Sequence, residues 1–416
     1  MGTFAGWFRL LGGIVVALGL LACGDGKHDD TEGFLARHWD EPVAPQGAPP
    51  AHFSALEASL HPDACGQCHV AQYADWRASL HSRTMGAGLR WQLALMDQQQ
   101  GNRCLRCHAP LAEQKALVAR ELGWPNAPAQ APPAYVAPDL AHQRLVCAAC
   151  HVRGHQRFGP PPRNGAVADS PHDGFVVARA FEDSRFCAHC HQFPEDGPRI
   201  AGKLQEDTYQ QWLASPYAKA GPDRKTCQSC HMPDRRHLWR GIHDPEMTRQ
   251  ALAVELVLDR IDATHYRARA RVHNKGAGHH LPTYMVPKIE LAFYRKDARG
   301  RVTELGRQLI GWQVDTQITR ELADTRIPAG KTREFVQPFR AAGTDWQVEL
   351  VVNVWPDEHY ERIFRDSLAR ADQFPPRAAG LLREAQAGLA GRRYELMRLS
   401  SDTRTAIRPY GADIAK

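Results

Sequence analysis

Ten of the eleven cysteines fall in five pairs with two residues between them, and a histidine directly follows every pair. The copies are Cys65-Gly-Gln-Cys68-His69, Cys104-Leu-Arg-Cys107-His108, Cys147-Ala-Ala-Cys150-His151, Cys187-Ala-His-Cys190-His191 and Cys227-Gln-Ser-Cys230-His231. Two thiols at this spacing add to the two vinyl groups of one porphyrin. The next residue then carries its imidazole to the iron as proximal ligand. Zinc is the alternative for an isolated cysteine pair, but zinc does not require histidine after every second cysteine. The pattern points to five covalently attached c-type haems, with these ten cysteines as anchors and His69, His108, His151, His191 and His231 on the irons. Apart from Cys23, no cysteine is left over, so neither a disulfide framework nor a thiol nucleophile is expected.

The first cysteines are separated by 39, 43, 40 and 40 residues. Forty residues per haem are too few to build a hydrophobic core around each one, so the porphyrins must supply the core and lie close together. Close packing of redox groups is what electron conduction needs. The formal net charge is +6. Haem propionates are acidic and offset such a balance. No long Lys/Arg run occurs, and nucleic-acid binding is not expected.

Distal ligands must come from the other histidines. Trp76-Arg-Ala-Ser79-Leu-His81 follows the first motif. It resembles the Trp-x-x-Ser-x-His segment of the multihaem c-type cytochrome family, which includes the tetrahaem electron carrier of ammonia oxidisers, octahaem hydroxylamine oxidoreductase and pentahaem nitrite reductase. The resemblance implies that His81 is a distal ligand to a haem other than the one just before it. His142, five residues before Cys147, resembles the family's histidine upstream of a haem motif. His155 follows the third motif, and His172 lies in a Pro/Gly-rich loop before the fourth. His237 and His243 follow Cys230-His231-Met232-Pro233, as similar His-rich tails do in the family. All six are candidate distal ligands. His189, inside its own motif, points away from that iron and is read as structural. His28, His38 and His52 are expected to be solvent-exposed.

Residues 1–22 carry Arg9 and an apolar run from Leu10 to Ala22, too short for a membrane span and suited to a signal peptide. The run ends in Leu-Leu-Ala-Cys23-Gly24, which resembles the bacterial lipobox. Lipidation at Cys23 is expected, on the outer membrane rather than the inner one because Gly24 follows. The other possibility is an ordinary signal sequence that contains a cysteine. Residues 23–60, with Pro42, Pro45, Pro49 and Pro50, read as a flexible tether.

The haem region is expected over residues 61–246. Beyond it cysteine vanishes and period-two alternation begins. Tyr266, Ala268, Ala270 and Val272 alternate with arginines; Ile289, Leu291 and Phe293, then Val348, Leu350, Val352 and Val354, repeat the pattern. Asp297-Ala-Arg-Gly300 reads as a turn. Residues 247–356 thus predict a β-sandwich and residues 357–416 two amphipathic helices, broken near Pro375-Pro376. Asn274-Lys-Gly-Ala-Gly-His279-His280-Leu-Pro-Thr283 resembles a segment beyond the haem motifs of some multihaem cytochromes. His279 either caps a haem or sits hydrogen-bonded in a tight structural loop.

The fold class expected is α+β: a helical, loop-rich multihaem cytochrome c domain followed by a β-sandwich with a C-terminal helical tail. The expected role is electron transfer outside the cytoplasm, in the periplasm or at the cell surface, with redox proteins of the respiratory chain or outer membrane as partners. The rival is a multihaem reductase of nitrite, hydroxylamine or a sulfur oxyanion with one open iron. The related nitrite reductases use Cys-x-x-Cys-Lys at the catalytic haem, a motif this sequence lacks. Replacing Cys23 by alanine is expected to move the protein from the membrane fraction to the soluble one with haem content unchanged, because several acyl chains hold where one does not. Retention of the variant in washed membranes would exclude a lipid anchor at this position.

Overall fold

A computed structural model describes residues 30–163, 171–402 and 407–409. Cys23 and the apolar run before it lie outside the described residues.

The haem motifs sit on short helices. Gln98–His108, Cys147–His151, Arg185–His191 and Cys227–His231 each end on the motif histidine. The first motif instead spans the junction between Pro62–Gly66 and Val70–Ala78, with His69 between them. Loops and two small antiparallel pairings, Val152–Arg153 with Gln156–Gly159 and Arg199–Ile200 with Lys203–Leu204, connect the helices.

The segment expected to be a free tether is folded from Thr31 onward. Helix Thr31–His38 leads into an extended stretch in which Val43 and Gln46 are buried. Gln46 N–H donates to Glu113 at 2.7 Å, and Glu41 faces His189, Arg106 and Lys115. His38, expected in solvent, is 3% exposed; its Nε2–H donates to the Cys150 carbonyl at 2.9 Å, while burial and then Arg153 push its pKa down to about 3. Prolines suit chain laid along a surface as well as chain free in solvent, and the haem-motif helices supply partners for its polar groups. His52 is exposed as expected, and His28 lies outside the described residues.

From Leu252 the alternating runs become strands. β1 is Leu252–Arg260, β2 His265–Asn274, β3 Lys288–Asp297, β4 Val302–Ile310, β5 Thr332–Arg340, β6 Trp346–Trp355, β7 Tyr394–Asp402 and β8 Ile407–Pro409. They make two four-stranded sheets, β5-β2-β1-β8 and β7-β6-β3-β4. Every pairing is antiparallel except β8 with β1. The inward faces form one core in which Ala268, Ala270, Val272, Ile289, Leu291, Phe293, Val348, Leu350, Val352 and Val354 are fully buried. The expected turn is present: Gly300 has φ +78° and its N–H donates to the Asp297 carbonyl at 2.9 Å. Only a residue without Cβ adopts that conformation freely.

The expected helical tail is helical only in part. Helices Glu358–Leu368 and Pro376–Ala387 are followed by β7 and β8, which add an edge strand to each sheet. The two helices do not trail away. Phe364, Leu381, Leu382 and Ala385 form a cluster with Trp91, on the helix Ala87–Leu93 of the haem region. The chain from Thr31 onward is one compact unit.

Phe293 is fully buried and lies opposite Leu350 in the sandwich. Phe293→Ala is expected to cost about 3–5 kcal/mol, seen as a lowered urea midpoint by far-ultraviolet circular dichroism. A change below about 1 kcal/mol would show that the cluster is not the core that holds the β half together.

Candidate haem sites

The sites are built from imidazoles. Five of them share one hydrogen bond. His108 Nδ1–H donates to the Thr84 carbonyl at 2.9 Å, His151 to Phe158 at 2.8 Å and His231 to Arg240 at 2.6 Å. His237 donates to Arg235 at 3.0 Å and His279 to His280 at 2.8 Å. With Nδ1 committed as donor, Nε2 carries the free lone pair, which is the tautomer a metal takes. Burial holds these groups neutral. It pushes the pKa of His151 and of His279 down to about 4 and that of His81 to about 3; His108, His231 and His237 are shifted the same way.

Three motif histidines each face one histidine from elsewhere. His191 faces His81 with ring centroids 6.3 Å apart, His151 faces His237 at 6.2 Å, and His231 faces His279 at 6.3 Å. Two metal–nitrogen bonds of about 2 Å, plus roughly 1 Å from each ring centre to its nitrogen, predict about 6 Å for two imidazoles on one ion. Among the described residues, no three His, Cys, Asp or Glu side chains converge as a bare metal ion would need. Opposed pairs leave the equatorial positions to a planar tetradentate ring. The ten motif cysteines are all free thiols. The donor set therefore fits haem.

The thiols also report which motifs are neighbours. Cys65 lies within hydrogen-bonding reach of Cys147, Cys107 of Cys190 and Cys187 of Cys227. The first motif thus adjoins the third, the second the fourth, and the fourth the fifth.

Local sequence explains how the partners arrive. Helix Val70–Ala78 buries Trp76, whose indole N–H donates to the Leu145 carbonyl at 2.8 Å. Ser79 Oγ and Ser82 Oγ bond backward to carbonyls and turn the chain, leaving His81 on a short 3-10 turn. Three residues on, Thr84 supplies the carbonyl that holds His108, and its hydroxyl donates to the His108 carbonyl at 2.8 Å. His279 comes from the β half. Asn274, fully buried at the end of β2, donates through Nδ2 to the carbonyls of His279 at 2.8 Å and Ile327 at 3.0 Å. Its Oδ1 accepts the Ala277 N–H at 3.0 Å. A Cβ at Gly278 would stand 3.2 Å from Trp212 and from Tyr217, so glycine lets the loop close onto the haem region. The loop is tight and its His279 hydrogen-bonded, and the His279 ring lies 6.3 Å from that of His231.

The other expected distal histidines are placed differently. His142 Nε2 lies 2.6 Å from Glu121 Oε2, His243 Nε2 lies 3.1 Å from Asp357 Oδ1, and His155 Nε2–H donates to the Gly47 carbonyl at 3.1 Å. In each the nitrogen that would face an iron is engaged elsewhere. His172 Nδ1–H donates to the Gly174 carbonyl at 2.9 Å, leaving Nε2 free, on a loop tied to Glu57. Among the described residues, His69 and His108 have no imidazole at the spacing of the other three pairs. His189 pairs with Glu41 and stacks on Trp39 at 4.5 Å, in the structural role expected of it.

The family model described as cytochrome c554 and c-prime matches residues 64–125. That span holds the first two motifs and the Trp76–His81 segment. The solved penta-haem cytochrome c552 from Thermochromatium tepidum matches 83% of this chain and 99% of its own at 18% identity, with a TM-score of 0.55. The fold is that of a multihaem cytochrome c. The share matched exceeds the haem region alone, so the likeness extends into the β half. The structure of Northeast Structural Genomics Consortium target SoR45 overlaps 25% of this chain at 13% identity with a TM-score of 0.17, too low to carry an argument. No curated protein sequence matches this chain.

Asn274 is the residue on which the His279 loop hangs. Asn274→Ala would leave the His279 carbonyl and the Ala277 N–H without partners in a half-buried loop, while the Ile327 carbonyl keeps the Leu281 N–H. It is expected to cost about 1–3 kcal/mol, while Asn274→Gln recovers only part because its amide is displaced by a methylene. Thermal unfolding of the two variants checks this, and an alanine variant as stable as the parent would refute it.

Proposed function

We propose that this chain is an electron carrier holding five c-type haems on its five Cys-x-x-Cys-His motifs. The observation that carries the reading is the set of three opposed imidazole pairs, each joining a motif histidine to a distant one at 6.2–6.3 Å. Haem iron supplies the chemistry, passing one electron at a time between its ferric and ferrous states. The protein's part is to close both faces of the iron with neutral imidazoles, so that little rearranges when the charge changes. On this reading His81 serves the fourth haem, His237 the third and His279 the fifth. His172 is assigned to the first, because Glu57 ties its loop to the segment leading into Cys65. The multihaem fold and the cytochrome c554 match support electron transfer. The lipobox at Cys23 supports an exported, lipid-anchored protein, on the outer membrane, whose partners are redox proteins met outside the cytoplasm.

A second reading is favoured by one observation. His108 has no facing imidazole among the described residues, and His142, the nearest candidate by sequence, is held by Glu121. A reductase of nitrite, hydroxylamine or a sulfur oxyanion would use an iron so exposed.

Electron paramagnetic resonance of the oxidised protein separates the two. Capped irons are low-spin, whereas a water-bound one is high-spin because water is the weaker ligand. The expected spectrum has low-spin signals from at least the third, fourth and fifth haems, and His279→Ala should convert one haem to high spin while all five thioether attachments remain by mass spectrometry. A stoichiometric high-spin haem in the unmutated protein, with turnover of nitrite or hydroxylamine, would transfer the assignment to the reductase. An unchanged spectrum in His279→Ala would remove that residue from the ligand set.

A further inference from the structure

The stretch Arg236-His237-Leu238-Trp239-Arg240 meets three of the proposed iron sites within five residues. Arg236 begins it with a two-pronged bond to Asp75, Nε to Oδ2 at 3.0 Å and Nη2 to Oδ1 at 2.5 Å. The His237 N–H donates to the same carboxylate at 3.1 Å. Asp75 lies on the helix Val70–Ala78 that leads to His81, so the two segments bearing distal histidines are joined at their roots. Arg240 ends the stretch by accepting the Nδ1–H of His231 on its carbonyl at 2.6 Å.

Trp239 stands between these anchors. Its ring is 4.5 Å from that of His81 at 60°, and 5.1 Å from that of His237 at 90°. Both contacts are edge-to-face in class, the arrangement an aromatic quadrupole favours. Trp239 also has φ +40°, a left-handed conformation that a bulky residue adopts only where its surroundings impose it. The ring planes carry a further signal. The pairs that Trp239 touches are twisted, by 43° for His81 against His191 and 37° for His237 against His151. The pair it does not touch, His231 against His279, is close to parallel at 14°.

We propose that Trp239 is a positioning residue that sets the imidazole planes of His81 and His237 together, holding the third and fourth haems as one twisted pair of sites. The proposal rests on the bis-histidine reading above. His81 Nδ1 has no hydrogen-bond partner, so the indole packed on that ring limits its rotation, and at His237 the indole acts together with the Arg235 carbonyl that holds Nδ1. The angle between the two planes governs the anisotropy of a low-spin ferric haem, which gives a readout independent of any activity.

The test is electron paramagnetic resonance on the full, matured chain. His81→Ala and His237→Ala each remove one low-spin signal and thereby assign the fourth and third haems. The unmutated protein should show those two signals as the more anisotropic class and the fifth haem as a rhombic one. Trp239→Leu keeps bulk but removes the aromatic face; it should shift the third and fourth signals together and leave the fifth in place. Trp239→Phe should keep all three near their original positions. If Trp239→Ala fails to mature, the leucine variant still carries the comparison. Third and fourth signals unmoved in Trp239→Leu, or only one of them moved, would overturn the proposal. Absence of low-spin signals from the third and fourth haems in the unmutated protein would instead overturn the bis-histidine reading beneath it.

Discussion

An imidazole has two nitrogens, and its usefulness as a ligand depends on what the other one does. Here the backbone decides. Carbonyls at Thr84, Phe158, Arg240, Arg235 and His280 take the Nδ1–H of His108, His151, His231, His237 and His279. Each such bond selects the tautomer, limits the ring's swing and leaves Nε2 with its lone pair free. A carbonyl cannot be rotated away as a side chain can, so the orientation of these rings is a property of the chain path. That path must therefore be held in many places, and much of the architecture is the holding.

The haem region and the β half are joined for the same reason. Lys203 bonds to Glu321 and Asp324 at 2.7 Å, Arg326 forks onto Asp324 and lies over the Trp312 ring, and Trp312 donates to Glu321. Gln211 and Thr208 reach Thr283 and His280. These contacts flank the loop that carries His279. The C-terminal helices close the far side through Trp91 and Phe364. Such charge networks are poor sources of stability by themselves, but they define one register between surfaces.

What could be read from the chain followed the range of the interactions concerned. The five motifs are local chemistry within five residues, and the strands β2, β3 and β6 are local alternation, so both were legible. Which histidine faces which was not. His81 meets a ring more than a hundred residues away, and nothing near His142 or His243 in sequence announces Glu121 or Asp357. The Trp76–His81 segment carries its own geometry, whereas at His142 and His243 a carboxylate arrives from another element. β7 escaped notice because its alternation is broken: its pairing with β6 shifts register between Val352 and Asn353, so Leu396 and Met397 stand side by side without a period-two pattern. Residues 31–47 escaped because a Pro-rich polar stretch has one composition whether it floats or lies against a partner. No local signal marked Trp239, whose neighbours are all brought to it by folding.

The loop from Asn274 to Thr283 carries a consequence for how such a molecule could be assembled and inherited. Its His279 stands opposite His231 across the boundary between the two halves. Thioether attachment would need only the short peptide that holds the two cysteines, and could precede folding of the rest of the chain. Bringing His279 opposite His231 must wait until β2 has formed and docked. On the proposed reading, this ligand would report that the β half has folded correctly. For the same reason the part that bears the motifs is not a module that can be cut out and fused elsewhere with its properties intact: one of its five motif histidines faces a ring supplied by the neighbour. Genetic exchange that separated the two halves would leave His231 without its facing imidazole, which on the proposed reading gives selection a direct reason to keep them on one polypeptide.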